Sequence, residues 1–250
     1  MLDALPMNTD PRRYATTANT RVEHFLTHSR VTIATREIFG GEKREQKRES
    51  KPQDPDREPT AASIRRARNK VYAIAALNHF DYMATLTLDR ERIERENPAV
   101  VSRKLRKWLD NATQRKGLAY VLVPELHKDG KGIHLHGLFR GSLRLADSGK
   151  RRKGKTVYNL PEWKYGFSTA LMLDGNPDHY AKYIAKYITK DFAKIFGNYY
   201  YAGGNIERNA PVEYLNTDYD AYEEPEHYVR AIATGFKYAI LKGNNDNEIN

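Results

Sequence analysis

Two runs rich in strand-forming residues, 118–126 and 133–139, flank a short segment that contains Asp129-Gly130. Asp-Gly between such runs is a strong signal for a two-residue hairpin turn, because the turn that suits twisted strands needs positive φ at both central positions. With these two residues at the tip, Lys128 faces Lys131, Glu125 faces His134 and Val123 faces His136. Directly opposed residues lie on one face with β-carbons about 4.5–5.5 Å apart, and residues two apart on a strand share that face. The register therefore gathers Glu125, His134 and His136 on one patch, with His127 as an alternative member. A slip of one residue would send Glu125 to the opposite face. One carboxylate and two imidazoles suit a divalent cation, and zinc, manganese and magnesium are all compatible by ligand type. The chain has no cysteine, so thiolate ligation and disulfides are excluded.

The flanking sequence supplies further elements. Ala61 to Asn78 predicts a helix with Ile64, Val71, Ile74, Ala75 and Leu77 on an apolar stripe. Residues 82–88 predict a strand. Pro98 opens a second helix to about Lys116, with Val101, Leu105, Trp108, Leu109 and Ala112 on one side. Further strands are expected over 167–173, from Tyr199 to Gly203-Gly204, and, short ones, at Val31–Ala34 and Phe236–Leu241. Asn176-Pro177-Asp178 is a helix start, and that helix is expected to reach about Phe196. Strands interleaved with a few long helices give an α+β fold, with a largely antiparallel central sheet and the helices packed on one face of it.

On the third helix, Tyr180, Tyr183 and Tyr187 fall along one stripe, while Lys182, Lys186 and Lys190 form another at i, i+4 spacing. A tyrosine hydroxyl can attack phosphorus and form a covalent phosphotyrosine. It is a weak nucleophile at its ordinary pKa near 10, and adjacent cations would favour the phenolate. The same pattern also describes an amphipathic helix with buried tyrosines and solvated lysines.

The net charge is +10, from 42 Lys and Arg against 32 Asp and Glu, which favours a polyanionic partner. Positive charge is dense in a loop expected at Lys150, Arg151, Arg152, Lys153 and Lys155, and near the start of the first helix at Arg65, Arg66, Arg68 and Lys70. Both are candidate phosphate contacts. From Glu42 to Pro59 the chain is nearly all charge, with Pro52, Pro55 and Pro59, and reads as a solvated linker. The expected organisation is an arm and linker over 1–60, a folded domain over 61–205 and a C-terminal extension over 206–250. No apolar run approaches the roughly 20 residues that span a bilayer, and no apolar signal core follows Met1, so a cytoplasmic protein without a membrane is expected.

Taken together, the hairpin and the tyrosine helix resemble the HUH endonuclease superfamily, and the motif order is similar to that of the rolling-circle replication initiators of plasmids and phages. His134-Leu135-His136 resembles the His-hydrophobic-His metal motif, and Thr85-Leu86-Thr87 the strand that precedes it. Tyr183-Ile184-Ala185-Lys186-Tyr187-Ile188-Thr189-Lys190 resembles the motif that carries the catalytic tyrosines. The resemblance spans about 61–205. It implies an RRM-like nuclease domain whose Glu125, His134 and His136 hold Mg2+ or Mn2+. It implies a site-specific single-strand nick by Tyr187 or Tyr183, a 5′-phosphotyrosine intermediate that later rejoins DNA, and positioning or charge neutralisation by Lys186 or Lys190. The implied partners are single-stranded or supercoiled origin DNA, a host polymerase and a host helicase. No Gly-x4-Gly-Lys-Ser/Thr phosphate loop is present in the sequence. A relaxase or single-strand transposase of the same superfamily, a non-catalytic nucleic-acid-binding module and a metal hydrolase using water are the competing readings.

Overall fold

The computed structural model describes residues 17–40, 60–126, 132–173, 175–188, 198–220, 230–233 and 235–242. Four strands come first: β1 (Thr17–Ala18), β2 (Thr20–His24), β3 (His28–Ala34) and β4 (Phe39–Gly40). Helix α1 (Ala61–Leu77) follows, then β5 (Tyr82–Thr87), α2 (Pro98–Lys116), β6 (Ala119–Leu126) and β7 (Ile133–Arg140). Next are β8 (Ala146–Arg152), β9 (Lys155–Asn159), β10 (Ser168–Met172), α3 (Pro177–Ala185) and β11 (Tyr201–Gly203). The last strands are β12 (Val212–Leu215), β13 (Arg230–Ala233) and β14 (Phe236–Lys242).

The fold is α+β, and every strand pairing among the described residues is antiparallel. The chain divides into two compact units, Pro52–Ala210 and the combination of Met1–Lys51 with Pro211–Asn250. In the second of these, β2 and β3 form a hairpin, β12 adds beside β2 and β14 beside β3, with the order β12-β2-β3-β14-β13. Residues that sequence reading divided between an arm and an extension thus share one sheet. Its small core holds Val22, Val31, Ile33 and Ala239.

The larger unit is built on a seven-stranded sheet with the order β11-β6-β7-β5-β10-β9-β8. Alternation along the central strands separates two faces. Leu122 on β6, Leu135 and Phe139 on β7 and Leu86 on β5 join Val101, Leu105, Leu109 and Ala112 of α2 in one core. The opposite face presents Val121, Val123 and Leu138, all fully buried, and packs against α1 and α3, which also pack on each other. The helices therefore cover both faces, not one as expected: a two-sided central strand has apolar residues of both parities to bury.

The ends of the helices follow the sequence signals. Asn97 caps α2 through its side chain, with Pro98 in the first turn; Gly117, at φ 61°, takes the left-handed conformation that ends it. Asn176 and Pro177 start α3 in the same way. The described helix α3 ends at Ala185, short of the expected Phe196. Residues 186–188 continue with tighter i to i+3 bonds, Lys186 to Tyr183, Tyr187 to Ile184 and Ile188 to Ala185, while 189–197 lie outside the described residues.

The segment around Lys150–Lys155, expected as a loop, is a hairpin. Arg152 pairs with Lys155, and Lys153 (φ 48°) and Gly154 (φ 79°) make the two-residue turn between them. Four consecutive cations hide this signal, because only Gly154 marks the turn.

Candidate functional site

The site is assembled on three neighbouring strands. In β6 and β7 Glu125 pairs with His134 and Val123 with His136, the register expected from the Asp129-Gly130 turn. The turn itself, with His127, lies outside the described residues. On the other side of β7, Thr87 pairs with His134 and Thr85 with His136. Pairing of β11 with β6 stops at Leu122, so β6 is an edge where it carries Glu125. Pro124, which has no N–H to donate, is tolerated there. Gly137, next to His136, is required by packing on the other face: a β-carbon there would lie 2.5 Å from the Phe139 ring and 2.6 Å from Leu122.

His136 is buried, and both ring nitrogens are engaged. Nε2 is 2.7 Å from Glu125 Oε2, and Nδ1 is 3.2 Å from Thr85 Oγ1. Burial pushes the His136 pKa below the ordinary imidazole value; the hydrogen bond and charge of Glu125 oppose this, and His134 adds to it. The His134 and His136 rings lie 6.1 Å apart. In this arrangement Glu125 and His136 face each other, and among the described residues no three His, Asp or Glu side chains form a metal cluster. By ligand type the side chains of Glu125, His134 and His136 are ones a divalent cation takes. Two imidazoles and a carboxylate occupy one face, and burial holds His136 in the neutral form that ligates.

Above this patch lies the tyrosine segment. The Tyr187 ring stacks on His136 with centroids 3.7 Å apart and planes 10° apart. The Tyr183 and Tyr187 hydroxyls are 2.6 Å apart. The Tyr187 pKa is raised well above the usual phenol value. Burial is the largest cause, followed by the hydrogen bond and charge of Tyr183 and the charge of Glu125; Arg152 opposes them. Tyr180, which shares the sequence stripe, is buried and donates its hydroxyl to Asn78 O at 3.0 Å, a structural role that withholds it from solvent.

Three contacts from α1 and the residue that follows it hold this segment. Tyr72 donates to Asp178 at 2.7 Å, Asn78 O receives Tyr180, and Arg68 donates from Nε and Nη2 to Ile188 O at 3.1 and 2.6 Å. Arg68 and Lys70, expected as phosphate contacts, are thus engaged within the fold, Lys70 on Arg208 O and Asn209. Sequence pattern could not show this, because partners 120 residues apart, as Arg68 and Ile188 are, leave no local signal. Lys182 is paired with Asp178 at 2.6 Å. Lys186 is exposed, and Lys190 lies outside the described residues.

The basic hairpin borders the same site. Lys150 pairs with Val157, Arg151 with Thr156 and Arg152 with Lys155. Alternation puts Lys150, Arg152 and Lys155 on the face that carries the histidines, and the Arg152 charge acts on the Tyr187 hydroxyl. Arg151 faces the other way and contacts Asp147 at 3.3 Å. Lys153 occupies the turn.

Within the α+β domain an antiparallel sheet thus presents two histidines and a glutamate beneath a tyrosine-bearing helix end, bordered by cations. Residues 81–192 match the ORF2-type family of replication-associated proteins, so this segment is similar to replication-associated proteins. No curated protein matches the chain. No solved structure matches it. Among the described residues no helix is long and apolar enough to cross a membrane.

Proposed function

We propose that the protein initiates rolling-circle DNA replication as a site-specific single-strand endonuclease and ligase, with Tyr187 as the attacking residue and Tyr183 as its partner. The observation that carries this reading is the Tyr187 ring lying flat on His136, with its hydroxyl bonded to Tyr183, inside a segment similar to replication-associated proteins. Glu125, His134 and His136 would hold a divalent cation, Mg2+ or Mn2+, whose charge offsets that of the scissile phosphate.

Tyr187 Oη attacks phosphorus in line, forming the Tyr–O–P bond as the P–O3′ bond breaks. The phenol loses its proton, the departing 3′ oxygen gains one, and the 5′ end remains on the protein. Tyr183 Oη lies within hydrogen-bond reach of that phenolic proton. Arg152 counters the charge that develops on the phenolate, and Thr85 orients the His136 ring. The phosphotyrosine ester conserves the energy of the broken bond, so the reverse attack by a 3′-OH rejoins DNA without ATP. The free 3′-OH serves a polymerase, and strand separation requires a helicase.

The test is incubation with single-stranded origin DNA from the cognate replicon and Mn2+ or Mg2+, with EDTA as control. The expected product is a protein–DNA band that survives boiling in SDS, needs metal and disappears in the Tyr183→Phe/Tyr187→Phe double variant. Cleavage without a band would assign the attack to water, and binding without either would leave a nucleic-acid-binding module.

A further inference from the structure

The row of side chains that begins with Glu125 and His134 continues across the sheet. Thr87 pairs with His134, and Thr87 N donates to Phe167 O at 2.8 Å, one residue before β10 begins. The next row runs from His136 through Thr85 to Thr169. Ala170 and Leu86, of the other parity, are buried in the core beneath α2, so Phe167 and Thr169 belong to the face that carries the site. With adjacent strands about 4.8 Å apart, Phe167 stands two strands, roughly 10 Å, from His134.

Phe167 is 64% exposed, the highest value among the exposed large apolar side chains of the described residues. The backbone beside it is held close against β5. The Arg92 guanidinium lies over the ring at 5.7 Å; Arg92 itself donates to Gly166 O at 3.3 Å and contacts Asp89 at 3.6 Å. A β-carbon on Gly166 would collide with the Thr87 carbonyl, so only glycine lets this backbone lie against β5. Trp163 donates to that same carbonyl at 3.1 Å. Farther along the face stand the exposed cations Lys155, Arg152 and Lys150. An exposed aromatic ring on the same sheet face as a cationic strip complements single-stranded DNA, whose bases offer π faces and whose backbone offers charge.

We propose that Phe167, braced by Arg92, is a stacking platform for an unpaired nucleobase flanking the phosphate that Tyr187 attacks. The inference rests on the endonuclease reading above and adds to it a positioning residue and the single-strand preference it confers. A base inside a duplex has both faces occupied by its neighbours and cannot use the ring.

The test uses the full chain in EDTA, with fluorescence polarisation of a labelled oligothymidylate and of an abasic deoxyribose-phosphate chain of equal length. Phe167→Ala is expected to weaken oligothymidylate binding about tenfold and to leave binding of the abasic chain unchanged. Phe167→Tyr keeps wild-type affinity. The slope of log K against log salt stays the same in Phe167→Ala, because no phosphate contact is removed. Undiminished oligothymidylate affinity in Phe167→Ala, or an equal loss on both chains, overturns the platform. If that happens while the wild type still forms its covalent adduct with origin DNA, only the platform fails; a wild type that neither binds nor forms the adduct overturns the endonuclease reading as well.

Discussion

His136 is the residue on which the site's charge balance turns. Its imidazolium is penalised by burial more than Glu125 compensates, so its folded pKa lies below the ordinary 6.5. Below pH 6.5 the unfolded chain takes up a proton that the native state resists, so the contribution to stability is complete above about pH 6.5 and is lost as pH falls below it. In the metal-free protein an NMR titration should put the His136 midpoint below 6.5, and Glu125→Gln should move it lower by removing the charge that opposes burial. A midpoint above 6.5 would contradict this balance. Arg152 and Arg151 differ in a second testable way. Arg152 shares the face with the site, and Arg151 is directed to Asp147. Arg152→Gln should reduce the magnitude of the salt dependence of single-stranded DNA binding by about one unit of slope, and Arg151→Gln should leave it unaltered; equal slopes for both variants would remove Arg152 from the phosphate path.

The β6–β7 hairpin and α2 are the most legible elements, because their determinants are local: a turn dipeptide between two runs of strand formers in one, and a cap, a proline, an apolar stripe and a terminal glycine in the other. The β8–β9 hairpin was not legible. Lys150, Arg151, Arg152 and Lys153 have the composition of a solvated loop, and only pairing of β9 with β10 reveals the strand. The clamp of α1 on the tyrosine segment was equally hidden, since the meeting of Arg68 with Ile188 O is a product of tertiary packing. Gly137→Ala should overpack the sheet against Phe139 and Leu122 and lower stability by about 1–3 kcal/mol, read from urea denaturation; an unchanged midpoint would show that these neighbours yield freely. Arg68→Met, which keeps the helix but releases Ile188 O, should slow adduct formation more than it weakens DNA binding, because Tyr187 loses a support rather than a ligand contact. Equal losses in both would argue for a direct role in binding.

In the molecule as a whole, the two larger sheets of the described residues are built from a nested chain, with segments from either side of the larger unit completing the five-stranded one. Sequence pattern located Val31–Ala34 and Phe236–Leu241 separately, but pairing of Tyr238 with Thr32 joins segments some two hundred residues apart and leaves no periodic trace. A variant lacking residues 211–250 should therefore lose hydrogen-exchange protection over His28–Ala34 while Ala119–Leu126 stays protected; retained protection in β3 would show that the hairpin with β2 suffices. The site, by contrast, draws its strands and tyrosines from one unit, and its claim rests on a single bond, that from Tyr187 Oη to phosphorus. The chain itself provides the means to locate that bond. Lys182, Lys186 and Lys190 set trypsin sites that place Tyr183 and Tyr187 in separate peptides, Tyr183–Lys186 and Tyr187–Lys190. Nuclease trimming and tryptic digestion of the covalent adduct, followed by mass spectrometry, should find the nucleotide mass on Tyr187–Lys190. A nucleotide on Tyr183–Lys186 alone, on neither peptide, or no adduct at all on origin DNA with metal present, would contradict the account.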